Sequence, residues 1–152
     1  MNPQPDFLRK SLSDMTSDEW ESLCDGCGLC CLHRANHPDT GEDMRTNIAC
    51  RALDCDTLSC QQYDTRLQNI PHCLKLTPDN IATIDYLPRS CAYRLVYEKK
   101  PLPEWHYLIC GDRRQVHLHG ISKKGTLLRE AELIEWLENG KTTALAVEFY
   151  KI

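Results

Sequence analysis

Apolar positions along this chain come in short, separated groups, and few of them repeat long enough to define a face. Residues 1–14 read as an extended arm carrying Pro3 and Pro5. Thr16-Ser17-Asp18-Glu19 has the form of a capping box, in which Thr16 caps and Glu19 returns the bond. A short helix follows, with Trp20 and Leu23 three apart on one face, and Gly26 is placed to stop it. Residues 32–49 are polar and turn-rich and predict a surface loop or loose hairpin, and residues 61–71 predict a linker. Thr77-Pro78 predicts a helix start that buries Ile81 and Ile84 and ends at Pro88. Ser90 is placed to cap a second helix from Cys91 to about Glu98, broken by Pro101 and Pro103. Trp105 to Cys110 predicts a strand or packed loop, and Val116-His117-Leu118-His119 alternates as a short strand would. The strongest amphipathic pattern lies over 127–137, where Leu127, Ala131, Ile134 and Leu137 recur at helical spacing before Asn139-Gly140. Residues 144–150 predict a closing strand or a tail. Together these elements predict an α+β fold, mainly helical with long loops, in a small metal-organised single domain. An N-terminal arm would cover 1–15, a cysteine-cluster metal-binding domain 16–138 and a C-terminal tail 139–152.

Composition explains why metal enters that expectation. Mean hydropathy is −0.49, and the 41% hydrophobic share counts ten cysteines, so the apolar core is lean. Formal net charge is −4, with no basic stripe of the kind nucleic-acid readers carry. Lys99-Lys100, Arg113-Arg114 and Lys123-Lys124 read as solvated loop charges. Neither a secretory leader nor a run of about 20 apolar residues is visible, which predicts a cytoplasmic chain without membrane contact. In a reducing cytosol, many cysteines point to metal or redox chemistry instead of a disulfide framework.

The chemistry concentrates in Cys24-Asp25-Gly26-Cys27-Gly28-Leu29-Cys30-Cys31, a C-x2-C-x2-C-C loop with glycines at its turns. Soft sulfur ligands at that density suit a metal centre, and the glycines permit the tight turns that bring them together. Adjacent side chains diverge on a helix or strand, so Cys30 and Cys31 do not easily serve one mononuclear site. Distal cysteines are therefore required. Cys50, Cys60, Cys73 and Cys91 would bring the set to eight, enough for two four-ligand sites. Three cysteines at two-residue gaps favour an iron–sulfur cluster such as [4Fe–4S], and Zn2+ is the alternative. His33, His37 and His72 are candidates to add a ligand or to support one. His117 and His119 would pair on one side of a strand, whereas His106 reads as structural. Arg51, Arg89 and Arg94 could donate to sulfur or form ordinary salt bridges.

The motif, with Asn47-Ile48-Ala49-Cys50-Arg51, Cys60-x2-Tyr63, Pro71-x-Cys73, Leu87-Pro88-x2-Cys91-Ala92-Tyr93-Arg94 and Leu102-Pro103-x-Trp105-His106, resembles the YcgN-type bacterial cysteine-cluster proteins. These fall within the broader YkgJ-like domain described as zinc- or iron-chelating. The resemblance runs over about 20–137. It implies Cys24, Cys27, Cys30, Cys31, Cys50, Cys60, Cys73 and Cys91 as ligands, with Cys55 and Cys110 as extras. The expected function is a cytoplasmic metal-binding protein with a structural, redox or metal-handling role. Its partners would be a metal ion or cluster and an unidentified protein. One alternative is a cluster-supported enzyme using His106, His117 or His119. Another is a zinc-stapled interaction module that docks through the 127–137 helix or the tail.

Overall fold

The structure is a computed structural model that describes residues 3–70, 73–139 and 147–151. The expectations for His72, the Leu137 side chain, Gly140 and 144–146 lie outside the described residues. The chain divides into two compact units, 1–27 with 74–122, and 28–73 with 123–152.

In the first unit, α1 (Ser17–Glu21) begins with the predicted box: Thr16 Oγ1 accepts from the Glu19 amide at 3.1 Å, and Glu19 Oε2 accepts from the Thr16 amide at 2.9 Å. Trp20 and Leu23 enter a core with Ile81, Leu87, Tyr93 and Leu102. The Trp20 and Tyr93 ring centroids are 4.7 Å apart, and Trp20 Nε1 donates to the Leu76 carbonyl. The predicted helix at Thr77 shortens to a turn, in which Thr77 and Asn80 exchange hydrogen bonds, and the 3-10 helix Ile81–Thr83. The predicted helix after Ser90 is present as α3 (Ala92–Tyr97), with Cys91 at its N-cap. The strand expected at 116–119 and the strand or packed loop expected at Trp105 to Cys110 are replaced by helical turns. Trp105 to Cys110 contains α4 (Tyr107–Cys110), and 116–119 lies in α5 (Gln115–Leu118) and its cap. Four alternating residues fit either period, and here local hydrogen bonds decide: the Leu118 and His119 amides donate to Arg114 and Gln115 carbonyls.

The second unit is built on a sheet, together with α2 (Arg66–Asn69) and α6 (Glu130–Glu138). Strands β1 (Leu32–Asn36) and β2 (Asp43–Ala49) form an antiparallel hairpin, closed by the His37 amide donating to the Glu42 carbonyl at 2.8 Å. β3 (Leu128–Arg129) pairs with β2 in parallel at Ile48 and Ala49, and β4 (Phe149–Tyr150) pairs antiparallel at Arg45 and Thr46. β2 is thus the central strand, buried along six of its seven residues.

The mainly helical expectation is therefore wrong. The described residues form a mixed α/β fold, with six short α-helices and a four-stranded mixed sheet. The error is physical: Arg45, Thr46 and Asn47 are buried polar residues, invisible to hydrophobic periodicity. Each is held by hydrogen bonds. Arg45 Nη1 donates to the Leu32 carbonyl, Thr46 Oγ1 to the His33 carbonyl and Asn47 Nδ2 to the Thr126 carbonyl, each at 2.8 Å. Asn47 Oδ1 also accepts from the Glu148 amide at 2.8 Å. Sheet and helix meet in α6, which packs on β2 and β3 but starts three residues later than the pattern implied. Its half-buried side includes Leu133 and Trp136, while Ala131 and Ile134 of the predicted stripe face solvent, Ile134 at 52% exposure. No helix among the described residues is long and apolar enough to cross a membrane.

Candidate metal centre

Three of the predicted ligands, Cys24, Cys27 and Cys91, belong to the first unit, and five, Cys30, Cys31, Cys50, Cys60 and Cys73, to the second. The motif itself divides between Cys27 and Gly28.

In the first unit, α1 ends just before Cys24, and α4 holds that ending. His106 is fully buried; its Nε2 donates to the Leu23 carbonyl at 2.9 Å, and its Nδ1 accepts from the Leu108 amide at 3.1 Å as the cap of α4. Tyr107 donates its hydroxyl proton to the Ser22 carbonyl, and the Arg113 guanidinium lies 3.8 Å over the Tyr107 ring. Two side chains of the Trp105-His106-Tyr107 segment thus fix the two carbonyls that precede Cys24. Burial lowers the His106 pKa below the usual imidazole value, against the opposing effects of the Leu23 carbonyl and the Asp25 charge. Both ring nitrogens are bound to backbone, so His106 is structural, as its sequence context suggests. Past Cys24 the chain turns through Gly26, at φ +76°, and Asp25 Oδ1 accepts from the Cys27 amide at 3.0 Å. Cys91 packs against the core that contains Leu23. Cys110 has its thiol engaged locally, donating towards the Trp105 carbonyl at 3.4 Å and the Asp112 carbonyl at 3.5 Å.

In the second unit, Gly28 at φ +70° opens the 3-10 turn Leu29–Cys31, which leads directly into β1. The Cys50 amide donates to the Cys31 carbonyl at 2.7 Å, so hairpin register puts these cysteines side by side. The loop from Asp54 to Ser59 then returns the chain. Its Asp54 Oδ1 accepts from the Asp56 and Thr57 amides, and the strand bridge Leu53–Cys60 closes it. Cys50 and Cys60 flank a closed loop, and Cys55 rides on it, packed with Cys31 against Leu32, Ala49, Leu53 and Leu58. Cys31 is hydrogen-bonded to Cys30, and that bond, burial and the charges of Cys30, Cys50 and Cys60 all raise its pKa. Adjacent Cys30 and Cys31 thus interact within the 3-10 turn Leu29–Cys31. Among the described residues no three His, Cys, Asp or Glu side chains form a ligating set, so these four sulfurs are neighbours short of a coordination shell.

Among the described candidates, His33, His37, His117, His119, Arg51 and Arg94 have partners of their own. His33 Nε2 lies 2.6 Å from Glu130 Oε1, which also accepts from the Arg51 amide at 3.2 Å. Glu130 thereby joins the residue after Cys50 to one two positions past Cys31. His37 Nδ1 accepts from the Asp39 amide. His117 Nδ1 lies 2.6 Å from Ser122 Oγ, and His119 Nδ1 lies 3.0 Å from the Gln115 carbonyl. With α5 in place of a strand, the predicted one-sided pair of His117 and His119 does not form. Arg94 bonds Glu98 and the Leu87 carbonyl. Sequence reasoning passed over Asp25, Tyr107 and Glu130. For Asp25 a signal existed, since Asp-Gly between two candidate ligands predicts a side-chain-capped turn. Glu130 and Tyr107 act across long sequence separations and left none.

No protein-family model matches the chain, and no solved structure matches it. Curated relatives do. A UPF0260 protein of Pectobacterium atrosepticum is 45% identical over 139 residues, 91% of this chain and 94% of its own. A UPF0260 protein of Pseudomonas putida is 47% identical over 131 residues, covering 86% and 88% of the two chains. The UPF0260 protein YcgN of Salmonella newport is 45% identical over 139 residues, 91% of each chain. Identity at this level over nearly the whole length shows that this chain belongs to the UPF0260 family, the group that includes the YcgN proteins.

Proposed function

We propose that this protein is a cytoplasmic metal-centre protein that holds an iron–sulfur cluster or zinc on cysteine thiolates. The observation that supports the reading is that the backbone brings Cys31, Cys50 and Cys60 into one region: the Cys50 amide donates to the Cys31 carbonyl at 2.7 Å, and the Leu53–Cys60 bridge closes the loop after Cys50. Four sulfurs brought together by a 3-10 turn, a hairpin register and a closed loop match the four-thiolate sets of structural zinc and of iron–sulfur clusters. Clustered thiolates repel one another, and a bound cation is the group that removes that repulsion. The donor type suits the group, and the sulfurs would have to close on it as it binds. Cys30, Cys31, Cys50 and Cys60 would hold it in the second unit; Cys24, Cys27 and Cys91 are the candidates in the first, and Cys73 is a spare in the second. A bound centre would supply structural cross-linking or electron transfer. The chain's own contribution is positional: β1, β2 and the 54–59 loop bring the sulfurs together, and Glu130 holds two of the segments that carry them.

Anaerobic purification followed by iron, sulfide and zinc analysis and a visible spectrum tests this. Bound metal that falls in Cys31→Ala and Cys60→Ala variants is expected. A broad visible absorption with stoichiometric sulfide identifies the cluster, whereas a colourless chain with zinc identifies the alternative. A chain that holds neither metal above background overturns the reading.

A further inference from the structure

Cys31 and Cys50 stand opposite each other at the open end of the β1–β2 hairpin. Leu32 and Ala49 are partners in the register, and the next residues outward are Cys31 and Cys50. The Cys50 amide donates to the Cys31 carbonyl at 2.7 Å, so the antiparallel pairing continues to them. Residues bonded across an antiparallel pair in this way hold their Cα atoms about 5.5 Å apart, with both side chains on one face. A disulfide spans Cα separations of about 4.4–6.8 Å. Both residues are free thiols, and neither is fully buried. The other pairings lack this support. Cys60 is paired with Leu53, and Cys55 sits in the loop that Asp54 ties to its own backbone. A bond between adjacent Cys30 and Cys31 would close a small ring across a planar trans peptide. In an unfolded chain the order would differ, because loop closure favours partners near in sequence, and for Cys50 these are Cys55 and Cys60.

We propose that Cys31 and Cys50 are a thiol–disulfide exchange pair whose substrate is a low-molecular-weight disulfide of the glutathione type. Cys31 packs against the core of this unit and Cys50 lies outside that cluster, so Cys50 is the sulfur that meets the small molecule. Its thiolate attacks one sulfur of glutathione disulfide and displaces one glutathione thiolate. Cys31 Sγ then attacks the Cys50 sulfur of the mixed disulfide, forms the Cys31–Cys50 bond and displaces the second glutathione. The two protein thiols lose two electrons, the small disulfide is reduced to two thiols, and the protons given up by the cysteines end on them. The bond joins the residue before β1 to the residue after β2 and staples the hairpin at its open end. This goes beyond the metal-centre reading: it needs only the hairpin register, and the same sulfurs cannot be thiolate ligands and a disulfide at once.

The test incubates the full-length protein, as purified, with glutathione buffers of rising disulfide-to-thiol ratio under anaerobic conditions. Samples are quenched by alkylation and mapped by tandem mass spectrometry, with metal content measured alongside. The Cys50 peptide is expected to become linked to Cys31 and to be released again when the ratio is lowered. The folded chain should favour Cys31 over Cys55 and Cys60 together by at least about fivefold, and the guanidinium-unfolded chain should reverse that preference. Cys30→Ser should keep the linkage, and Cys31→Ser should stall as a mixed disulfide between glutathione and Cys50. Should Cys31→Ser fail to fold, the wild-type map decides alone. Cys50 that pairs with Cys55 or Cys60 in the folded chain, or that stays open to alkylation at every ratio, overturns the proposal. Linkage in a chain without metal supports the pair while the metal-centre reading fails. Bound metal without linkage overturns the pair and leaves that reading standing.

Discussion

Replacing His106 tests whether α4 presents the cysteine loop. The ring is fully buried and makes two backbone hydrogen bonds, to the Leu23 carbonyl and from the Leu108 amide. His106→Phe keeps most of the volume but leaves both backbone groups unpaired, at about 1 kcal/mol each or somewhat more. His106→Ala adds a cavity, for a total of about 3–5 kcal/mol. For a chain of this size that corresponds to a fall in midpoint of about 10–15 °C. Urea unfolding followed by tryptophan fluorescence reads it, since Trp20 lies in the same core. Tyr107→Phe should cost about 1 kcal/mol, through the Ser22 carbonyl alone. The pH dependence follows from the direction of the His106 shift. Asp25 and Arg113 face the ring with opposing effects, and burial prevails, so the folded pKa lies below the ordinary 6.5. The unfolded chain then binds the proton first as pH falls. This contribution is complete above about pH 6.5 and is lost below it, at up to about 1.4 kcal/mol per pH unit. The slope just below about pH 6.5 should be shallower in His106→Phe. A loss below about 1 kcal/mol in His106→Ala, or identical slopes in wild type and His106→Phe, would refute the reasoning.

Three further outcomes follow from other parts of the molecule. Asn47→Ala should cost about 2–3 kcal/mol in urea unfolding, because its two 2.8 Å bonds tie β2 to the Thr126 carbonyl and the Glu148 amide. Gly28→Ala should cost about 1–2 kcal/mol, mostly as left-handed backbone strain at φ +70°, since the added carbon would meet Leu58 and Leu53 at ordinary distances of 3.6–3.8 Å; metal affinity measured on the same variant should fall with it. Metal removal by chelation should collapse circular dichroism and the thermal midpoint, because structural zinc contributes roughly 10–16 kcal/mol against a domain stability of about 5–15 kcal/mol. An unchanged midpoint would show that the centre does not organise the fold.

Local codes in the chain were legible. The Thr16–Glu19 capping box and the helix after Ser90 were read from a few neighbouring residues, because their hydrogen bonds close within one turn. The hairpin over 32–49 and the closing strand at Phe149–Tyr150 were each legible as one of two alternatives, but the burial of the sheet was not. Its central strand buries Arg45, Thr46 and Asn47, and polar burial is paid for by partners as far away as Thr126 and Glu148. The α6 stripe misled for a related reason: any helical repeat of apolar residues looks like a buried face, but packing on β2 and β3 selected the side that carries Leu133 and Trp136.

The candidate site divides along the same line. The sequence by itself determined the donor chemistry: ten thiols, four of them within eight residues, with glycines where the backbone turns left-handed. Composition and spacing carry that information because ligand type and loop turning are local properties. Only the tertiary structure decided which thiols are neighbours. Cys50 and Cys60 reach Cys31 through a hairpin register and a closed loop, and Cys24 and Cys27 belong to a different unit from Cys30 and Cys31. It also exposed Asp25 as a buried oxygen without a partner. Proximity between distant segments depends on how strands and helices pack, and spacing along the chain does not encode it.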